Sequence, residues 1–485
     1  VSHRFERLLD HAPFDRASWG VLVVNDQGKT IFQRNADRLF IPASTLKLAV
    51  TAAASVLLPP DYRITTDVYA TGPLNDGILQ GDLVVYGHGD PSFGAHCYGP
   101  DTLAAGVCDS LWTRMDALAD SIVRHGVQSI GGAIVGDGSH FEPTLVHPEW
   151  EAYDLNWWYA APVSGLGFND NSVNITWKPG SRVGASADIA FEPYLGNFSF
   201  ENRTRTVPAG SRRTIDFFRQ PGTPFIWAQG TVPLGAGTHT EYFALPDPNR
   251  YFVQALRTAL QDRGVSIGGP TLTTTDSTRY STARQSPPLA RVASRPVSEL
   301  IYPILNESHN WFAEMLVKLL GAELGDSGSW NAGTAVVRRF LVDSAGVDST
   351  AFSLRDGSGL ARGNLITPRA IVAILRFMEH HPNNQGFLRA LPRPGSGTLQ
   401  NRLVCTAADG RMEAKTGSLG EVNALAGYLE RPNGEKYIFD IVANNHRANY
   451  AAGVAQIDSL VLVLTGGKAA RTSPDATCPI AARSR

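Results

Sequence analysis

Lysine, cysteine and methionine are scarce in this chain, no stretch carries charge of a single sign, and no apolar run is long. The 485 residues hold 43 Lys and Arg against 45 Asp and Glu, a formal charge of −2 at pH 7. The signs are mixed throughout, so no nucleic-acid partner is expected. The longest apolar runs, Leu46 to Leu58 and Leu460 to Leu464 with its flanks, fall short of a membrane span, and no transmembrane segment is expected. No basic-then-apolar secretion signal opens the chain, which begins at Val1 without methionine, and a processed mature protein is the expectation. Four cysteines form an even set. Pairing Cys97 with Cys108 and Cys405 with Cys478 is preferred, three pairings are possible, and buried free thiols are the competing reading. The twelve histidines are scattered, and His380-His381 before Pro382 reads as a helix end. Gly87-His88-Gly89-Asp90 lacks the companions of a phosphate loop, so neither a metal nor a cofactor is expected.

Scarcity makes the lysines informative. There are seven, and Lys47 alone has a serine three residues before it, in Ser44-Thr45-Leu46-Lys47. On a helix that spacing puts both side chains on one face. A serine hydroxyl is a weak nucleophile near neutral pH and needs a base within hydrogen-bond reach. Lys47 can serve if burial or a second cation lowers its pKa, and Lys415 is the candidate for that cation. Pro42, followed by the apolar run from Leu46 to Leu57, predicts a buried helix with Ser44 at its amino-terminal end, where backbone N–H groups favour negative charge. Lys415 opens the single Lys-Thr-Gly of the chain, Lys415-Thr416-Gly417-Ser418. The alternating runs Ala424 to Leu429 and Tyr437 to Val442 follow, so the motif reads as the first strand of a sheet. Ser-x-Asn is weaker, because it occurs at Ser172, Ser308 and Ser329. Ser308-His309-Asn310 is preferred because it precedes the amphipathic segment Trp311 to Leu320, which would hold it at a helix start.

Ser-x-x-Lys, Ser-x-Asn and Lys-Thr-Gly in this order resemble the signature set of the penicillin-recognising serine enzymes. Within them the chain is most similar to class C low-molecular-mass penicillin-binding proteins, the D-Ala-D-Ala carboxypeptidase/endopeptidase family. Further matching stretches run along nearly the whole chain. They include Gly87 to Ser92, Gly136 to Phe141, Tyr159 to Ser164, Asn169-Asp170-Asn171, Asp356 to Leu360, Asn364 to Pro368 and Gly397-Thr398-Leu399. His88 stands where a small residue is usual and Ala361 where serine is usual; neither touches the trio.

The resemblance implies a serine DD-peptidase acting on peptidoglycan stem peptides outside the cytoplasm, with β-lactam antibiotics as covalent inhibitors. It assigns Ser44 as nucleophile, Lys47 as base, Ser308 as a proton relay to the leaving amine and Asn310 as a positioning group. Lys415, Thr416, Gly417 and Ser418 would meet the substrate's terminal carboxylate, with the N–H groups of Ser44 and Ser418 as oxyanion hole. Trp150, Asp154, Trp158 and Tyr159 precede Ala160-Ala161-Pro162, where the resemblance places the donor side chain of the stem peptide. Aromatics beside a carboxylate could grip an aliphatic arm ending in an ammonium, as in diaminopimelate, and an ordinary hydrophobic staple is the competing reading. Asp356, Ser358 and Arg362 read either as cleft residues or as a Gly-rich turn. A β-lactamase or D-amino-acid esterase/amidase of the same superfamily is the alternative enzyme, and a non-enzymatic wall-binding protein the alternative outside enzymes. The latter has no need of Lys47.

Ser44 and Ser308 lie 264 positions apart, which calls for a large insertion in a compact transpeptidase-like core. An internal echo maps it. Ala117 to Gly132 and Ala255 to Gly269 both read as helix, tight turn and strand, on either side of a Thr-, Gly- and Arg-rich region of short alternating stretches. The expected fold is α+β, with a β-lactamase/transpeptidase-like antiparallel sheet flanked by helices. Residues 1–60 and 285–485 would form that catalytic domain, 61–171 and 240–284 an inserted α/β domain, and 172–239 a nested β-rich domain.

Overall fold

Strands Ser18–Asn25 and Thr30–Arg34 meet at a tight turn in which Gly28 adopts φ +80°, a conformation open to glycine. Ser18–Asn25 then pairs antiparallel with Lys436–Asn444, the last strand of a meander made with Met412–Leu419 and Val422–Glu430. The result is one antiparallel sheet in the order Thr30–Arg34, Ser18–Asn25, Lys436–Asn444, Val422–Glu430, Met412–Leu419. The Lys415 strand is therefore an edge. The computed structural model describes residues 2–466 except Leu103 and Ala105.

Two compact units make up the chain, one of Val1–Tyr62, Cys97–Cys108 and Pro296–Arg485, the other of Arg63–His96 and Asp109–Arg295. In the first unit one sheet face is covered by helices Ser2–Leu9 and Tyr450–Leu464, with Phe5, Val21, Phe439 and Leu460 in the shared core. Helix Pro368–His380 packs on the other face, and helix Lys47–Leu57 is enclosed by helices Val297–Asn306, Asn310–Leu324, Trp330–Asp343 and Pro368–His380. That enclosure explains its apolar sequence: eight of its residues are buried, and each fully buried leucine contributes about 2 kcal/mol. Ser329, Thr367 and Asn449 cap their helices by accepting the N–H of Ala332, Ala370 and Ala452. The expected helices and strands are present. Ser2–Leu9, Val297–Asn306 and Gln385–Ala390 are additional helices that local pattern did not single out. Cys97 and Cys108 form the preferred disulfide, and Arg389 donates to the Tyr98 carbonyl (3.3 Å), tying that segment into the first unit. Cys478, and with it the second expected pairing, lies outside the described residues.

In the second unit the two echo segments lie side by side. Helix Thr113–Arg124 leads to strands Ser129–Ile130 and Ile134–Asp137; helix Pro248–Gln261 leads to Ser266–Ile267 and Thr271–Thr274. Equivalent strands pair in parallel, Ser129 with Ser266 and Ile134 with Thr271. Between the copies, Asp188–Glu192, Ser172–Lys178 and His239–Ala244 form one three-stranded sheet, and Ser199–Val207, Phe225–Pro233 and Asp216–Arg219 form a second. Trp177, Phe217 and Ile226 of these sheets share one continuous core with Ile122 and Phe252 of the helices.

Candidate active site

Ser44 lies in a 3-10 turn, Ala43–Leu46, that feeds directly into the α-helix Lys47–Leu57. The spacing predicts one α-helix throughout; instead the tighter turn eclipses residues three apart. Lys47 Nζ consequently reaches Ser44 Oγ at 2.6 Å. Ala43 has φ +48°, and a Cβ on Gly359 would fall 2.0 Å from the Ala43 carbonyl oxygen. Glycine at 359 thus lets the loop carrying Ser358 close on the turn.

Three oxygens surround Lys47 Nζ: Ser44 Oγ, Asn310 Oδ1 at 2.7 Å and the Ser358 carbonyl at 2.8 Å. A neutral amine has two N–H groups and one lone pair. The amide and carbonyl oxygens can only accept, so they take the two N–H groups and leave the lone pair for the hydroxyl. The arrangement suits a base poised on Ser44.

Ser308, at φ +63°, precedes helix Asn310–Leu324, of which Asn310 is the first residue. Lys415 Nζ donates to Ser308 Oγ and to the Thr416 carbonyl, each at 2.8 Å, and Thr416 Oγ1 donates to Thr398 Oγ1 at 2.8 Å. The site thus holds two serine–lysine pairs. The rival Ser-x-Asn serines are used elsewhere, Ser172 at the start of a strand and Ser329 as a helix cap.

Both lysines are fully buried, whereas Ser418 is exposed and Ser44 partly so. Burial lowers the Lys47 pKa to about 7, opposed by the negative charges of Glu314 and Asp356. Burial, and then the charge of Lys47, hold Lys415 well below the usual lysine range. Of the two causes the sequence leaves open for Lys47, burial and a second cation at Lys415, desolvation is the one that lowers it, and the repulsion between the two ammonium groups falls on Lys415.

Gly417 fixes how closely the edge strand meets the Ser44 turn. A Cβ there would lie 2.7 Å from the Pro42 carbonyl oxygen and 3.2 Å from the Ser44 nitrogen. Any larger residue would push apart the two backbone segments expected to supply oxyanion donors.

Pattern reading missed Glu314. Helix Asn310–Leu324 is not amphipathic: every residue from Trp311 to Gly321 is buried, Glu314 and Lys318 included. Glu314 accepts from Gly357 N (2.9 Å), Ser358 N (2.7 Å) and Trp330 Nε1 (2.7 Å), and burial with the nearby Asp356 pushes its pKa up to about 7. It therefore positions the very Ser358 carbonyl that Lys47 touches. An acid amid apolar neighbours, four residues after Asn310, was the available signal. Asp356 accepts from Gly359 N, Ala361 N and Asn364 Nδ2, the turn-tying role, and exposed Arg362 reaches the Gly420 carbonyl at 3.3 Å.

Trp150, Asp154, Trp158 and Tyr159 belong to the second unit. Trp150 is buried with its ring 6.1 Å from that of His147, and Tyr159 donates its hydroxyl to Asp154 Oδ1 at 3.0 Å. Burial raises the Asp154 pKa against that hydrogen bond. The rings of Trp158 and Tyr159 meet edge to face at 6.1 Å.

The family model described as D-Ala-D-Ala carboxypeptidase 3 (S13) matches residues 2–465. The chain belongs to this family. A D-alanyl-D-alanine carboxypeptidase of Actinomadura sp. strain R39 is 31% identical over 455 residues, covering 91% of this chain and 80% of the relative. The crystal structure of penicillin-binding protein 4 from Haemophilus influenzae matches with a TM-score of 0.82 at 21% identity, over 95% of this chain and 99% of that one. The same protein complexed with a β-lactam matches with a TM-score of 0.74. The family resemblance, the α+β transpeptidase-like fold and the serine-type DD-peptidase class are borne out by these matches. Among the described residues no helix is long and apolar enough to cross a membrane.

Proposed function

We propose that this S13 family member is a serine DD-peptidase acting, as carboxypeptidase, endopeptidase or both, on peptidoglycan stem peptides outside the cytoplasm. The observation that carries the reading is Lys47, buried, held near neutrality and 2.6 Å from Ser44 Oγ. Ser44 Oγ attacks the carbonyl carbon of the penultimate D-Ala and its proton passes to Lys47 Nζ. The C–N bond to the terminal D-Ala breaks, and the leaving nitrogen takes a proton delivered through Ser308. Water then hydrolyses the ester, restoring Ser44. The N–H groups of Ser44 and Ser418 stabilise the oxyanion, each donor worth about 2.7 to 4 kcal/mol. Lys415, with the hydroxyls of Thr416 and Ser418, meets the terminal carboxylate. Trp150, Asp154, Trp158 and Tyr159 hold the donor side chain, and residues 172–239 form a β-rich domain nested in the insertion.

Intact-mass measurement after incubation with a β-lactam tests this. A persistent single adduct that Ser44→Ala abolishes is expected. Rapid release of hydrolysed drug would favour a β-lactamase, and no adduct at all would sink every acyl-serine mechanism.

A further inference from the structure

On a sheet with one face in the core, alternation normally turns polar side chains toward water. The sheet of strands Ser199–Val207, Phe225–Pro233 and Asp216–Arg219 departs from that rule. Phe217, Ile226 and Ala228 are buried in the core on one face. The opposite face carries Phe218, Trp227 and Phe225, all partly exposed. Phe218 is in register with Trp227 across the strands, and Phe225 precedes Trp227 by two positions. The three rings are nearly parallel: Phe218 and Trp227 lie 5.6 Å apart at 19°, Phe225 and Trp227 5.9 Å apart at 27°. The Arg203 guanidinium sits 5.3 Å from the Trp227 ring centre. Exposed Glu201 and Gln229 flank the rings, and Trp227 Nε1 donates to Gln229 Oε1 at 3.3 Å.

Apolar rings rimmed by hydrogen-bonding side chains match a sugar, whose C–H face is apolar and whose edge carries hydroxyl and acetamido groups. Charge does not select the polymer: Glu201, Arg203 and Asp216 stand in register with Trp227 and Gln229, and Arg203 pairs with Glu201, so the ring chemistry carries the choice of a sugar.

We infer that this face binds the glycan strand of peptidoglycan, an N-acetylated amino-sugar polymer substituted with acidic peptides, and holds the enzyme on its insoluble substrate. The identity of the polymer rests on the proposed function; the sugar-binding chemistry does not.

Co-sedimentation of the full chain with insoluble peptidoglycan, in a Ser44→Ala background that prevents cleavage, tests the inference. Trp227→Ala should weaken retention roughly tenfold, the loss expected for one aromatic stacking contact. Trp227→Phe, which keeps a ring, should retain most of it. Soluble glycan chains stripped of peptide should release the bound wild-type face. Turnover of a short D-Ala-D-Ala peptide by the same substitutions with Ser44 intact reports folding. Unchanged retention in folded Trp227→Ala overturns the inference, as does release by free stem peptides with none by glycan chains. Should Trp227→Ala misfold, the competition result decides alone. Failure of the DD-peptidase reading would appear separately, as the missing Ser44 adduct.

Discussion

In the second unit the buried carboxylates of Asp67, Asp90 and Asp137 each meet an arginine, respectively Arg291, Arg114 and Arg284. In the first, Lys47, Lys415 and Asp440 are buried as deeply, yet no opposite charge lies within ion-pair distance of them among the described residues. A buried charge with a partner serves architecture, whereas burial lowers the pKa of the two lysines that have no ion-pair partner and makes them available for proton transfer. The contrast separates a unit that clamps its buried carboxylates with arginines from one that leaves two buried lysines without an ion-pair partner beside two serines.

The largest effect should come from removing the base. Lys47→Ala is expected to slow acylation of Ser44 by roughly 10² to 10⁴ while the protein still folds, measured by stopped-flow with a chromogenic β-lactam. Acylation within a few-fold of wild type would mean that another group takes the proton. In the second unit the analogous cut should cost stability and not chemistry. Arg284→Ala leaves Asp137 buried without its partner and should destabilise by about 3 kcal/mol. Turnover per folded molecule on a short peptide should be unchanged, and a fall in that turnover with no loss of melting temperature would erase the distinction between the units.

Glu314→Gln sharpens the comparison from inside the first unit. The Glu314 charge raises the Lys47 pKa, so its removal should move the acidic limb of kcat/KM to lower pH. A shift to higher pH would contradict the assignment. The smallest effect is expected at Asp440, whose carboxyl burial holds well above the usual range. The folded chain then keeps a proton that the unfolded chain releases above about pH 4. Stability from this group is therefore full below that pH and declines as pH rises toward the folded value. Asp440→Asn needs no proton and should gain about 1 kcal/mol over wild type near neutrality and nothing near pH 3 to 4, read from thermal melts. An equal difference at both pH values would show that the carboxyl is ionised in the fold.

The motifs made much of this legible. Ser44, Lys47 and Lys415 were found from spacing and rarity, and the echo segments were found because each repeats a helix, a turn and a strand. Three features were not legible. The 3-10 turn at Ser44 depends on Ala43 at positive φ and on Gly359 beneath it, contacts made across more than three hundred residues. Glu314 lies in a segment whose pattern predicts an amphipathic helix, and periodicity cannot tell a solvated acid from one satisfied by Gly357, Ser358 and Trp330. The sequence leaves burial and a second cation both open as the source of the Lys47 shift, because the choice between them turns on complete desolvation, which only packing decides.

The pH dependence of Ser44 acylation by a β-lactam, followed from about pH 5 to about pH 9, tests the central claim most directly. A neutral Lys47 as base predicts a rate that climbs through one ionisation at about 7 and then levels off. A rate that is flat across the range, or that climbs only toward the ordinary lysine value of 10.5, would contradict it.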